Sequence, residues 1–215
     1  MPTRTTSLST TILIASLLFF VSGCARGLDN SLSEDGEAGA IVKMLALAPG
    51  QHVADIGAGD GEWTEVIARS VGESGRVWAT EVDDDLIGNL QDLMADEGLR
   101  HVDVVRGDQQ NLGLPESCCE AALLRLVYHH FQDPAPMRKG LLRALRPGGL
   151  LLVIDIEPQK HWSELEGVPD RGGHGIPIDD LVSELSSAGF REVERRAPWD
   201  GDDERYAVLF RAPGN

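Results

Sequence analysis

Val53-Ala54-Asp55-Ile56-Gly57-Ala58-Gly59-Asp60-Gly61 lies between a short apolar run and a stretch with helical periodicity. Glycines at alternate positions let the backbone turn sharply and approach a ligand closely. In an open α/β sheet such a turn sits at the carboxyl ends of the strands, where ligands bind. Taken alone, the turn also suits a tight strand-to-helix connection with no ligand. The details of the loop narrow the choice. A dinucleotide fingerprint places its third glycine where Glu62 stands. Carboxylates at Asp60 and Glu62 also oppose a pyrophosphate, so the loop suits a cationic ligand better.

The alternation of strand and helix extends outward from this loop in both directions. Residues 51–56 (QHVADI) read as a strand and 38–47 (AGAIVKMLAL) as an amphipathic helix closed by Pro49-Gly50. Residues 62–71 suit a helix with Trp63, Val66 and Ile67 on one face. Strands follow over 76–82, 101–106 and 120–127, with helices over 84–97 and 134–145, the last stopped by Pro147-Gly148-Gly149. Residues 150–156 (LLLVIDI) form a fifth strand, apolar enough for burial on both faces. A helix over 178–188 ends at Gly189, and two late strands lie near 190–197 and 204–211. Strands separated by helices of about ten residues predict a parallel α/β sheet covered on both faces, a Rossmann-like doubly wound fold. Only Pro198 to Asp203 separate the final two strands, too few for a helical crossover, so that pair is predicted to be antiparallel.

The run VADIGAGDG resembles the first motif of the class I S-adenosylmethionine-dependent methyltransferases, hydrophobic-x-[Asp/Glu]-x-Gly-x-Gly-x-Gly. The other family motifs follow in order. Glu81 ends the second strand, 20 residues beyond Gly61, and the resemblance assigns it to the ribose hydroxyls. Arg106-Gly107-Asp108-Gln109 ends the third strand, and Asp108 matches the acid that accepts the adenine amino group. Leu145-Arg146-Pro147-Gly148-Gly149 and the strand after it look like the elements that close the family's central sheet. The resemblance covers Glu37 to Arg211. It implies a seven-stranded, mostly parallel sheet with an antiparallel last strand. The implied cofactor is S-adenosylmethionine, whose sulfonium and ammonium agree with an acidic loop. The cofactor-binding candidates are Asp55, Gly57, Ala58, Gly59, Gly61, Glu81, Asp108 and Gln109. Singly, Asp108 also suits a helix cap and Glu81 a solvated strand end.

The acceptor side is read from two further runs. Tyr128-His129-His130-Phe131 follows the fourth strand, the place that faces the transferred methyl group in this family, and it resembles a stretch found in a subgroup of uncharacterised methyltransferases. Tyr128 is a candidate to pack its ring against the sulfonium, and His129 or His130 a candidate general base. Asp170-Arg171-Gly172-Gly173-His174-Gly175-Ile176 lies in a long Gly-rich connection, and such connections are often lids. His174 is therefore expected to close over the pocket beside His129 and His130. Each of these histidines equally suits a plain core or surface position. Three histidines could also ligate a metal, but they come from separate loops, so acceptor chemistry is preferred, a metal is the minor alternative and none is assigned. Arg125 and Arg171 are candidates for an anionic substrate or for surface ion pairs. Cys118 and Cys119 are adjacent and precede an apolar strand, so two buried thiols are expected, and no Cys/His spacing resembles a structural zinc site.

The N-terminus differs in kind from the rest. Thr11 to Val21 (TILIASLLFFV) is short for a bilayer span but suits the apolar core of a secretory signal. It runs into Val21-Ser22-Gly23-Cys24, which resembles the lipobox of bacterial lipoproteins and implies lipidation of Cys24. An ordinary signal with an incidental cysteine is the alternative. The expected organisation is a signal peptide over 1–23, a tether over 24–36 and one domain over 37–215, anchored to a membrane in the cell envelope. If the signal is misread, the location is cytoplasmic. A chain of 215 residues with 42% hydrophobic and 25% charged residues is an ordinary globular composition. A formal charge of -16 opposes a nucleic-acid partner. Methyl transfer to a small molecule is the expected activity. Export away from the cytosolic cofactor pool raises an alternative, a lipoprotein that binds S-adenosylmethionine or a related nucleoside without chemistry.

Overall fold

A computed structural model describes residues 36–162 and 166–214. The expected signal peptide, Cys24 and nearly all of the expected tether lie outside the described residues. Among those described, no helix is long and apolar enough to cross a membrane.

The chain runs α1 (Glu37–Met44), β1 (His52–Ile56), α2 (Glu62–Val71), β2 (Arg76–Glu81), α3 (Asp84–Asp96), β3 (Val102–Arg106), β4 (Cys119–Arg125), a single 3₁₀ turn (Tyr128–His130), α4 (Pro134–Ala144), β5 (Leu145–Ile156), α5 (Ile178–Ala188), β6 (Arg191–Arg196) and β7 (Arg205–Arg211). The strands form one seven-stranded sheet in the order β3-β2-β1-β4-β5-β7-β6. All pairs from β3 to β5 are parallel, and β7 runs antiparallel to both β5 and β6. This is the doubly wound, mostly parallel architecture expected, with its last strand reversed. Strand order turns back between β1 and β4, so the ligand crevice of such a sheet opens at their carboxyl ends.

Alternation along the central strands makes two cores. Val53, Leu123 and Leu152 pack with Ile41, Trp63 and Trp199 on one face, while Ile56, Leu124 and Val153 pack with Leu141, Leu181 and Phe210 on the other. Each fully buried side chain of this size stabilises by about 1.5–3 kcal/mol, so the central strands anchor the edge where the site forms. Local chemistry sets the helix starts: the Asp83 carboxylate accepts from the N–H groups of Asp85 and Leu86 at α3, and Asp133 caps α4 ahead of Pro134.

Two expectations change here. β5 starts at Leu145 rather than 150: Leu145 pairs with Cys119, and a register shift before Ala121 absorbs the Arg146-Pro147-Gly148-Gly149 run into the strand. Cys118 and Cys119 are not two thiols but form a vicinal disulfide. Cys118 lies in the turn before β4, so the strict alternation of a strand does not force the two side chains to opposite faces.

Candidate functional site: two cavities at one sheet edge

The carboxyl edge of the sheet carries two cavities. The first, about 360 Å³, lies over β1, β2 and β3, and its lining includes Gly57, Glu81, Asp108, Gln109, Val127 and His130. Gly57 holds φ +72, and a Cβ there would meet Val127 Cγ2 at 2.5 Å, so only glycine lets the loop pass under the segment after β4. Glu81 is nearly buried. One of its oxygens accepts from Gly59 N–H at 3.0 Å, the other from Val82 N–H at 2.7 Å and Asp83 N–H at 3.3 Å. Two carboxylate oxygens offer about four acceptor positions, so Glu81 fixes the loop and keeps capacity for a further donor. Asp108 stands exposed at the rim and holds Gln110 N–H at 2.8 Å; Gln109 beside it is exposed too. Leu86, Leu112, Phe131 and Met137 complete an apolar wall. Acidic acceptors on one side and an apolar slot on the other fit an adenosine bearing a cationic tail.

Four of the cofactor candidates stand behind this wall rather than on it. Asp55, Ala58, Gly59 and Gly61 do not line the cavity. Asp55 and Ile56 point to opposite faces of β1, and Ile56 takes the cavity side. The Asp55 carboxylate is buried and accepts the Thr64 hydroxyl at 2.6 Å, tying β1 to α2. Burial pushes its pKa up to about 6, opposed by the Thr64 hydrogen bond. Ala58 is buried in the α2-side core, Gly59 contributes its N–H to Glu81, and Gly61 opens α2.

The second cavity, about 290 Å³, lies over β4 and β5 and is bounded by Leu126, His129, His130, Trp162 and His174. Leu126 and His130 line both cavities. Leu126 holds φ 58, a left-handed conformation uncommon outside glycine, where the chain leaves β4 for the 3₁₀ turn. That turn carries His129 into the protein, where Asp155 of β5 receives it. His129 Nδ1 lies 2.5 Å from Asp155 Oδ1, and His129 N–H donates to Oδ2 at 3.3 Å. Asp155 is fully buried and also accepts from Ile156 N–H at 2.9 Å. A carboxylate at Nδ1 holds the proton there and presents Nε2 outward. His129 Nε2 in turn lies 3.1 Å from His174 Nε2.

His174 comes from far along the chain. Gln159 and His174 exchange backbone hydrogen bonds as an isolated antiparallel bridge. Gly175 follows at φ +130, where a Cβ would meet Ile156 O at 2.7 Å. The connection is thus pressed directly onto the end of β5. His130 is exposed, yet partial desolvation, then the neighbouring His129 and His174, push its pKa down to about 4. It is neutral at pH 7.

Other candidates are placed elsewhere. Tyr128 is fully buried under the sheet edge; its hydroxyl donates to Glu184 at 2.8 Å and accepts from Arg138 at 3.2 Å. The 3₁₀ turn rotates it away from both cavities, so it is a core residue and not a sulfonium contact. Arg125 is held by Glu37 at 2.9 and 2.8 Å and lies over the Trp63 ring at 4.4 Å. Arg171 pairs with Glu184 at 2.9 Å. Neither arginine lines either cavity. Sequence reasoning missed Glu37, Asp155 and Trp162. The available signal for Asp155 was a single carboxylate inside an otherwise apolar strand, LLLVIDI. Glu37 gives no such signal, because its partners Arg125 and Trp199 come from β4 and the β6–β7 connection.

Residues 54–153 match the methyltransferase domain family. The match covers just under half of the chain, and the sheet has the strand order and reversed last strand of a methyltransferase fold. The ubiquinone/menaquinone biosynthesis C-methyltransferase UbiE of Teredinibacter turnerae is 29% identical over 125 residues, 57% of this chain and 50% of that protein. The chain thus spans about half the length of the curated relatives it matches. A SAM-dependent methyltransferase from Aquifex aeolicus superposes with a TM-score of 0.69 at 22% identity, covering 85% of this chain and 93% of that one. The [4+2]-cyclase SpnF superposes equally well, TM-score 0.69 at 17% identity over 83% and 81% of the two chains.

Proposed function

We propose that the chain is a class I methyltransferase that binds S-adenosylmethionine in the first cavity and transfers its methyl group to a small acceptor seated in the second. The observation that carries this reading is the shared wall: Leu126 and His130 line both cavities, so the histidine-lined space opens beside the cofactor space. The bound cofactor supplies an activated methyl group, and the chain's own residues do the rest. Glu81 and Asp108 take the cofactor's hydroxyl and amino donors. Asp155 holds His129 in the tautomer whose Nε2 accepts a proton from the acceptor. His130, neutral at pH 7, bounds the space between the two ligands. Close packing of donor and acceptor supplies the positioning that in-line transfer needs.

Calorimetric titration of the purified chain with S-adenosylmethionine tests the first half. One molecule per chain is expected; no affinity, or tighter binding of NAD, overturns it. A second reading, binding without transfer, is favoured by the signal-like run from Thr11 to Cys24, since export would separate the domain from cytosolic cofactor. Release of the demethylated product on incubation with a small-molecule extract of the same cells separates the two. We also propose that the chain is cleaved before Cys24 and anchored through a lipid on that thiol. Mass spectrometry of the membrane fraction checks this, and an unmodified Met1 terminus rules it out.

A further inference from the structure

We propose that His129, His130 and His174 form a three-imidazole site for a divalent transition ion, with Asp155 as its orienting carboxylate. One nitrogen from each ring lies within 4.8 Å of the others. Tetrahedral ligation at about 2.0–2.1 Å sets ligand nitrogens about 3.3 Å apart. The pair His129 Nε2 and His174 Nε2 is already at 3.1 Å. Closing the rest of the cluster takes side-chain movements of about 1.5 Å at most, within reach of an exposed His130 on a short turn.

Three further features support an ion over a plain imidazole contact. Asp155 sits on His129 Nδ1 at 2.5 Å, the carboxylate–imidazole–metal arrangement that fixes the ligating nitrogen and raises its basicity. Asp155 is fully buried and, among the described residues, its other hydrogen bonds come from the backbone N–H groups of Ile156 and His129, so its side chain serves this ring. Second, all three histidines line one cavity, whose volume gives room for a further ligand, as in catalytic sites with three protein ligands. Third, Asp202 and Glu204 line the same cavity and add negative charge, partly offset by Arg205.

Three neutral imidazoles select a borderline ion such as Zn²⁺ over Mg²⁺ or Ca²⁺, which prefer oxygen ligands. The sequence alone left a metal here as a minor alternative because the histidines belong to separate loops. The Gln159–His174 bridge holds His174 at the end of β5, and its ring meets His129 there at 3.1 Å, which removes that objection. Where the chain is read as a methyltransferase, the inference also names the acceptor class. The open position would take a hydroxyl or thiol, whose pKa a bound ion would lower so that the proton passes to water before transfer. In the metal-loaded chain His129 Nε2 is then a ligand, and it is the base only in the metal-free chain. That last step rests on the proposed function; the metal site does not.

The test uses the purified full chain, stripped of metal by a chelator and dialysed, then titrated with Zn²⁺ by calorimetry. Co²⁺ titration followed by visible absorption reports the ligand geometry. One ion per chain and a tetrahedral-type cobalt spectrum are expected. His174→Ala should weaken Zn²⁺ binding at least 100-fold and Asp155→Asn about 10–100-fold. His161→Ala, on a neighbouring exposed histidine, should leave binding unchanged. Circular dichroism melts establish that each variant is folded; if Asp155→Asn is not, His174→Ala decides. No binding by the wild type, or unchanged affinity in folded His174→Ala, overturns the site and leaves the 3.1 Å contact as an N–H···N hydrogen bond. S-adenosylmethionine binding measured on the same metal-free protein keeps the two readings apart: its failure would overturn the cofactor reading and leave the metal result standing.

Discussion

The two cavities share a wall but are held together in different ways. In the first, the carboxylates are held by backbone N–H groups, two from the next residues along the chain and one from the glycine loop. In the second, the polar groups are held by one another: Asp155 to His129, and His129 to His174 across 45 residues. The first can therefore lose a side chain and keep its shape, because backbone made it. The second depends on each member, because a buried carboxylate without its imidazole, or the reverse, is left unsatisfied.

The largest expected effect tests that dependence. Asp155→Ala leaves the His129 ring N–H, the His129 backbone N–H and the Ile156 N–H without their buried acceptor. It should destabilise the fold by about 3–5 kcal/mol in urea unfolding. An effect below about 1 kcal/mol breaks the contrast. Next comes a pH effect beneath the first cavity. Asp55 is raised from 3.8 to about 6, so the folded chain holds a proton that the unfolded chain releases between those values. Stability from this group is present at low pH and falls as pH rises through the window, by about 3 kcal/mol. Asp55→Asn should flatten that slope. His130 works with the opposite sign in the metal-free chain. Its pKa falls from 6.5 to about 4, so its contribution grows as pH rises, and His130→Ala should steepen the decline.

Smaller effects sharpen the comparison. Glu81→Ala should weaken S-adenosylmethionine binding by roughly 10–150-fold, since charged hydrogen bonds are worth about 1.5–3 kcal/mol. Calorimetry checks it, and unaltered affinity would move the cofactor elsewhere. Tyr128→Phe should cost about 1 kcal/mol in unfolding and leave cofactor affinity unchanged, because its hydroxyl serves Glu184 and Arg138 in the core. A large loss of affinity would return Tyr128 to the cofactor side.

Much of this was legible in the sequence, and the reason is range. The glycine loop, Glu81 and Asp108 each sit at the end of a strand that periodicity identifies, and parallel strands of one sheet bring their carboxyl ends to one edge. Order of motifs along the chain therefore determined the fold, the reversed last strand and the sheet edge that carries the first cavity. Facing was less legible. Asp55 and Ile56 are neighbours, and only the packing of α2 against β1 decides that Ile56 takes the cavity while Asp55 takes Thr64. Tyr128, His129 and His130 are consecutive, and a single 3₁₀ turn after a left-handed Leu126 sends the first into the core and the other two to the cavities. The histidine cluster, Asp155 and the Glu37–Arg125 pair were decided by tertiary structure alone. Each joins residues from elements far apart in sequence, and a buried charge or imidazole acquires its partner only when the sheet has closed around it.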